Sequence, residues 1–205
     1  MGSTGMHPMT TNRAIDFFDA QFRRQIGAAE FALNPFEAWA LPHVRGRLLD
    51  LGCGLGNFSI AAARRASPVT ALDGSQAAID RITAVAEQER LPLVAEQVDF
   101  STWRATEAFD TVAAIGLFMF FARPRALQLL DDALAHVAPG GVAIINVLTE
   151  GTTFLDMFEP AHYTLFRRDE IEARHPGWRV VASRDDVFPA PGGTVKCFAT
   201  RVVER

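Results

Sequence analysis

Leu48-Leu49-Asp50-Leu51-Gly52-Cys53-Gly54-Leu55-Gly56-Asn57 is the stretch on which the reading of this chain turns. Arg47 to Leu51 has the pattern of a short buried parallel strand carrying a carboxylate near its end. Three glycines follow at alternate positions, and Asn57 opens an apolar, Ala-rich segment from Phe58 to Arg65. The order is strand, tight loop, helix. Glycine at such a turn permits backbone angles that other residues resist, and it lets a ligand approach the main chain. The N–H groups of the helix start then face whatever sits above the strand end. The spacing is not the dinucleotide fingerprint G-x-G-x-x-G, because the position three after Gly54 is Asn57.

Downstream of this loop the pattern repeats. Val69-Thr70-Ala71-Leu72-Asp73 reads as a second strand that also ends in an acid, 19 residues beyond Gly54. In a β-α-β unit an acid at about that distance reaches the two hydroxyls of a ribose, and a carboxylate can accept from both. Gly74 and Ser75 follow, with Ser75 as N-cap of a helix through Gln88 whose Ile79, Ile82 and Val85 face inward. Leu93 to Val98 is a third strand, ending at Asp99-Phe100, where an acid can accept from an adenine amino group. Ser101 to Glu107 reads as loop, and Phe109 to Ile115 as the fourth strand. Gly116-Leu117-Phe118-Met119-Phe120-Phe121 then follows without a polar side chain. It serves either to pack the next helix or as a ligand wall, since aromatic faces attract cations. Pro124 starts a helix with Leu127, Leu130, Leu134 and Val137 on one face; Pro139-Gly140-Gly141 ends it, and Val142 to Leu148 is a fifth strand. Alternating strands and helices with short joints imply a parallel, doubly wound sheet with helices on both faces.

Beyond Thr149 the pattern changes. Glu150 to Leu165 is aperiodic, and Phe166 to His175 reads as a short polar helix. Trp178 to Phe188 and Thr194 to Val203 are strand-like runs joined by Pro189-Ala190-Pro191-Gly192-Gly193, a hairpin signal. Upstream, Ala14 to Ala29 carries Ile15, Phe18, Phe22 and Ile26 at helical spacing. Asn34-Pro35-Phe36 starts a second short helix with a cap and a proline at its first position. The expected organisation is a disordered leader or expression remnant over residues 1–13 and a single domain over 14–205. Within that domain, 14–46 forms a helical lid.

Composition sets the class. The chain has 205 residues, 49% hydrophobic and 21% charged, with a net charge of −4. These are values of an ordinary globular domain with a full core and no basic footprint for nucleic acid. The longest apolar run, Val112 to Ala122, is too short to span a bilayer, and Met1 to Arg13 lacks the apolar core of a secretory signal. Two cysteines are too few for a disulfide framework. The expectation is a cytoplasmic monomer or homodimer that binds neither nucleic acid nor membrane.

An acid two residues before G-x-G-x-G resembles motif I of the class I S-adenosylmethionine-dependent methyltransferases, and the order of parts resembles that class over nearly the whole chain. The resemblance implies an α/β fold with a Rossmann-like, seven-stranded sheet, mostly parallel with an antiparallel last strand. It implies S-adenosyl-L-methionine as cofactor, held by Asp50, Gly52, Cys53, Gly54, Asn57, Asp73, Gly74, Ser75, Asp99, Phe100, Ile115 and Leu117. Asp73 would be the ribose acid, Asp99-Phe100 the adenine site, and Ile115 to Leu117 motif IV. Within the class, Gly116 to Phe121, Phe166 to Trp178, Asp185-Asp186-Val187 and Phe198-Ala199-Thr200 resemble the bacterial tellurite-resistance methyltransferases. That family places a His-Arg pair and a further Arg between its last two strands, where this chain has Phe188 to Gly193 with neither residue type. The expected acceptor is a small molecule with a soft nucleophile, such as a thiol or a chalcogen oxyanion. Phe22, Arg23, Phe118, Phe121, His162, Arg167 and Arg168 are the side chains proposed to meet it. No catalytic residue and no metal ligand is assigned, and Cys53 is read as a small loop residue rather than a nucleophile. Two rival readings are a non-catalytic nucleoside-binding protein and a nicotinamide-dependent oxidoreductase. The second wants a glycine at position 57 and a Tyr-x-x-x-Lys pair, both missing.

Overall fold

The computed structural model describes residues 20–25, 27 and 31–205. Seven strands form one sheet: β1 (Leu48–Leu51), β2 (Val69–Asp73), β3 (Leu93–Gln97), β4 (Phe109–Ile115), β5 (Val137–Leu148), β6 (Arg179–Ala190) and β7 (Thr194–Glu204). Their spatial order is β3-β2-β1-β4-β5-β7-β6. The pairings among β1 to β5 are parallel, whereas β7 runs antiparallel to both β5 and β6. The expected sheet is therefore observed, with the last strand alone reversed.

The helices are α1 (Pro35–Ala40), α2 (Asn57–Ala63), α3 (Gln76–Glu89), α4 (Arg123–Ala135) and α5 (Glu170–Arg174), and residues 20–25 are also helical. Every residue of β1 is buried because layers cover both faces of the sheet. Leu49 and Leu51 join a core with Leu129, Leu130 and Leu134 of α4. Leu48 joins the opposite core with Phe58 and Ile60 of α2 and Ile82 of α3. The period-two alternation of side chains along the strand thus divides β1 between two apolar layers. No helix among the described residues is long and apolar enough to cross a membrane.

Several sequence expectations need correction. The inner face of α4 is Ala126, Leu129, Leu130, Ala133 and Leu134, with Leu127 only partly buried. The helix ends at Ala135, and Val137 is buried by pairing with Phe109 at the start of β5. Pro139-Gly140-Gly141 is therefore no helix terminator. It lies inside β5, where pairing jumps from Phe109–Val137 to Thr111–Val142 and the extra residues bulge outward. The expected polar helix from Phe166 to His175 shrinks to α5. Phe166 is fully buried and bridges to Thr149, and Glu170 and Ile171 are buried as well. Arg123 pairs with Glu170, and the buried Arg201 pairs with Glu172 and Asp185 and donates to the Arg168 carbonyl. These ion pairs dock α5 on α4 and β7. Of the expected N-terminal helix, Phe22 is described; Ile15, Phe18, Ile26 and the leader 1–13 lie outside the described residues.

Phe36 of α1 packs against Phe198 of β7 at 4.7 Å and Phe188 of β6 at 5.6 Å, measured between ring centroids. This aromatic cluster fastens α1 to the far hairpin, and each such pair is worth about 0.5–1.5 kcal/mol beyond area burial.

Gly56 joins loop to helix at φ 72°, and a Cβ there would sit 2.4 Å from Cγ1 of the buried Ile82. Gly192 has a similar φ of 70° but nothing within 4 Å. Gly56→Ala is expected to destabilise by about 2–5 kcal/mol in urea unfolding, combining left-handed strain with overpacking. Gly192→Ala is expected to lose only about 1–2 kcal/mol. Equal losses would show that the Ile82 contact relaxes without cost.

Candidate active site

The strand order reverses between β1 and β4, the place where open α/β sheets bind ligands beyond the carboxyl ends of their strands. The glycine loop leaves β1 at that point. Gly52, Gly54 and Gly56 all have positive φ, the left-handed region that disfavours side chains. A Cβ on Gly52 would meet Leu117 Cδ1 at 2.9 Å, and one on Gly54 would meet the Phe22 ring at 3.2 Å. The loop is thus packed from below by the motif after β4 and roofed by the N-terminal helical segment. Gly52 and Cys53 donate their N–H groups to the Leu72 carbonyl at the end of β2, at 2.8 and 3.0 Å.

Asp73 closes β2 beside this loop. Its Oδ2 accepts the Gly54 N–H and its Oδ1 the Ser75 N–H, both at 2.8 Å. These two donors set the plane of the carboxylate. Ser75 caps α3 as expected, accepting the Ala78 N–H. Asp50 lies beneath the loop, where its Oδ2 accepts the Ser59 hydroxyl at 2.6 Å. Burial pushes the Asp50 carboxyl up to about 7; the Ser59 bond opposes the rise, and the charges of Glu37 and Asp73 reinforce it. Burial, with Asp50 and Asp73 nearby, holds the Cys53 thiol well above its usual range and so favours its protonated form.

Above the loop is a cavity of about 350 Å³. Of the expected cofactor residues, Gly52, Cys53, Gly54, Asn57, Asp73, Gly74, Ser75, Asp99, Phe100, Ile115 and Leu117 line it, while Asp50 does not. Asp99 is exposed and accepts from the Ser101 N–H and hydroxyl, both at 2.8 Å, so it also shapes its own turn. Of the expected acceptor residues, Phe22 and Phe121 line the cavity. Phe118 is fully buried in the core below, and Arg23 is exposed outside the lining. His162 is exposed, and Arg167 and Arg168 pair with Asp169 and Asp185 at the surface; none of the three lines the cavity. The segment after β4 therefore divides its two suggested roles: Phe118 and Met119 pack, while Phe120 and Phe121 form a wall.

Sequence reasoning missed Gln21, Gln25, Ala32, Asn34, Glu37 and Leu55 in the lining, while Gly116 and Phe120, which also line it, fall in the stretch after β4 that was read as a wall. Asn34 and Glu37 carried a local signal, the N-x-x-E spacing of a capping box, but it speaks only of helix initiation. The box is present. Asn34 Oδ1 accepts the Phe36 and Glu37 N–H groups at 2.9 Å, and Glu37 Oε2 accepts the Asn34 N–H at 2.7 Å. Asn57 donates to the Ala32 carbonyl, tying this segment to the start of α2. Among the described residues the lining holds three acids, Glu37, Asp73 and Asp99, and no lysine, arginine or histidine.

A family described as a methyltransferase domain matches residues 48–141, from β1 to the bulge of β5. A probable S-adenosyl-L-methionine-dependent methyltransferase, TehB of Haemophilus influenzae, is 24% identical over 69% of this chain and 49% of its own length. The crystal structure of TehB from that organism superposes with a TM-score of 0.72 at 19% identity, covering 94% of this chain and 67% of that one. Hemagglutinin 1 of Eikenella corrodens is 30% identical over 69% of this chain and 46% of its own length. The N-methyltransferase NodS of Bradyrhizobium japonicum, solved with S-adenosyl-L-homocysteine, superposes with a TM-score of 0.66 at 16% identity, over 91% of this chain and 98% of that one. Residues 48–141 are thus a methyltransferase domain, and the fold is that of the class I S-adenosylmethionine-dependent methyltransferases. Within that class the chain is similar to TehB, and it spans about half the length of the curated relatives it matches.

The Asp50 shift has a consequence for stability. In the unfolded chain this acid ionises near 3.8, but in the fold near 7. A raised acid costs nothing below pH 3.8, costs progressively more as pH rises towards 7, and costs a constant amount above it. Asp50→Asn keeps an acceptor for Ser59 and removes the titration. Relative to wild type, the variant is expected to gain about 2–4 kcal/mol between pH 4 and pH 7 in urea unfolding. A pH-independent difference would show that Asp50 is not held protonated.

Proposed function

We propose that this domain transfers the methyl group of S-adenosylmethionine to a small, partly apolar acceptor whose nucleophile is soft, such as a thiol. The observation that carries the reading is a single cavity joining the glycine loop and Asp73 to an aromatic wall with no cationic side chain among the described residues. The residues suit the cofactor. Glycine at position 54 keeps this space open, since a Cβ there would sit 3.2 Å from the Phe22 ring. Asp73, with its plane set by two backbone donors, is assigned to the ribose hydroxyls. Asp99 and Phe100, at the end of β3, are assigned to the adenine.

The cofactor supplies an activated methyl on a sulfonium. The chain has to orient the acceptor and exclude water, and such positioning can lower a barrier by about 7–11 kcal/mol. Phe22, Phe120 and Phe121 present ring surface for both tasks, and the segments 20–25 and 32–37 serve as the lid over them. An oxyanion acceptor would want positive charge within reach. Arg167 and Arg168 are committed to surface carboxylates outside the lining, and the joint between β6 and β7 is Pro191–Gly193. Those features favour the thiol branch of the expectation over tellurite or selenite.

Isothermal titration is expected to show S-adenosylhomocysteine binding, weakened about ten- to a hundredfold in a folded Asp73→Ala variant. Unchanged affinity would remove Asp73 from the site. Assays that follow S-adenosylhomocysteine release over oxyanions, thiols and heteroaromatic compounds side by side are expected to favour an organic acceptor. Efficient tellurite or selenite turnover, lost in Arg167→Ala or Arg168→Ala, is the opposite outcome and rejects this acceptor class.

A further inference from the structure

Glu37 is an acid in an unusual place. It sits in the first turn of α1 with its side chain in the cavity wall, close enough for its charge to act on Asp50 beneath the glycine loop. Oε2 is held by the Asn34 N–H, while Oε1 accepts no hydrogen bond among the described residues. Burial raises its pKa, with the Asn34 N–H acting in the opposite sense. A carboxylate kept partly out of water with one oxygen committed to a cap calls for a cationic neighbour.

We propose that Glu37 is the counter-ion for the α-ammonium group at the amino-acid end of the cofactor. This assignment rests on the cofactor reading above. That end of the ligand carries a positive charge that needs an acceptor, and the lining offers three carboxylates. Asp99 stands at the end of β3, on one outer edge of the sheet, and Asp73 follows on β2. Glu37 lies on the other side of the glycine loop, on a helix fastened by Phe36 to β7 and β6. The three acids therefore lie in the order in which adenine, ribose and amino acid follow one another along the ligand. Asp50 cannot take the role, since it is buried below the loop and bonded to Ser59. Phe36 is thus a positioning residue for Glu37, because its docking sets where the acid stands.

The test uses Glu37→Gln. Glutamine still accepts the Asn34 N–H, so the capping box survives and only the charge is lost. Two probes are compared by titration calorimetry on the whole chain: S-adenosylhomocysteine, and 5′-methylthioadenosine, which has the same nucleoside and thioether but no ammonium or carboxylate. The expected result is a loss of about ten- to a hundredfold for S-adenosylhomocysteine and no change for 5′-methylthioadenosine. Unchanged S-adenosylhomocysteine affinity overturns the proposal. Equal losses for both probes overturn it too, because they assign Glu37 to the architecture of the cavity. Failure of wild type to bind either probe overturns the cofactor reading itself, an outcome distinct from the other two.

Discussion

Asp50 and Ser59 meet beneath the glycine loop, and the geometry above them depends on that one buried bond. It ties the strand before the loop to the helix after it, across nine residues that contain three left-handed glycines. An apolar pair at these positions would leave β1 and α2 in the same core but would not set their relative rotation. Burying an acid is tolerable because burial raises its pKa to about 7, so a large share of it is neutral near pH 7, and because the Ser59 hydroxyl donates to it.

The lining extends the same electrostatic theme. Glu37, Asp50 and Asp73 act on one another through a partly dry region, and among the described residues no basic side chain lies in the cavity wall. An empty site of this kind repels anions and concentrates cations. The positive charges are elsewhere: Arg201 is buried between Glu172 and Asp185, Arg168 covers Asp185, and Arg123 holds Glu170. Arg201 and Arg123 hold the segment after β5 onto β7 and α4. Of the arginines that attracted attention in the sequence, Arg167 and Arg168 pair with surface carboxylates outside the lining.

What could be read from the sequence was what is local. The glycine loop, Asp73 and Ser75 declare themselves by spacing because one β-α-β unit contains everything that determines their roles. The seven-stranded sheet was legible for the same reason, element by element. Errors arose where partners lie far apart in the chain. Val137 looked like one more turn of α4 because its burial comes from pairing with Phe109, and the bulge at Pro139-Gly140-Gly141 was read as a helix stop. Glu37 was not singled out in the sequence. Its place in the cavity depends on Phe36 meeting two rings about 150 residues later, a contact that no periodicity announces.

That contact also imposes an order of events on the growing chain. Chains emerge N-terminus first, at about 5–20 residues per second. β1, the glycine loop and β2 can form while the ribosome is still adding the second half, so the floor of the site exists early. The wall that bears Glu37 gains its contacts to Phe188 and Phe198 only once those residues have emerged. For several seconds of synthesis the glycine loop and Asp73 are therefore present without the aromatic contacts that hold Phe36, the neighbour of Glu37.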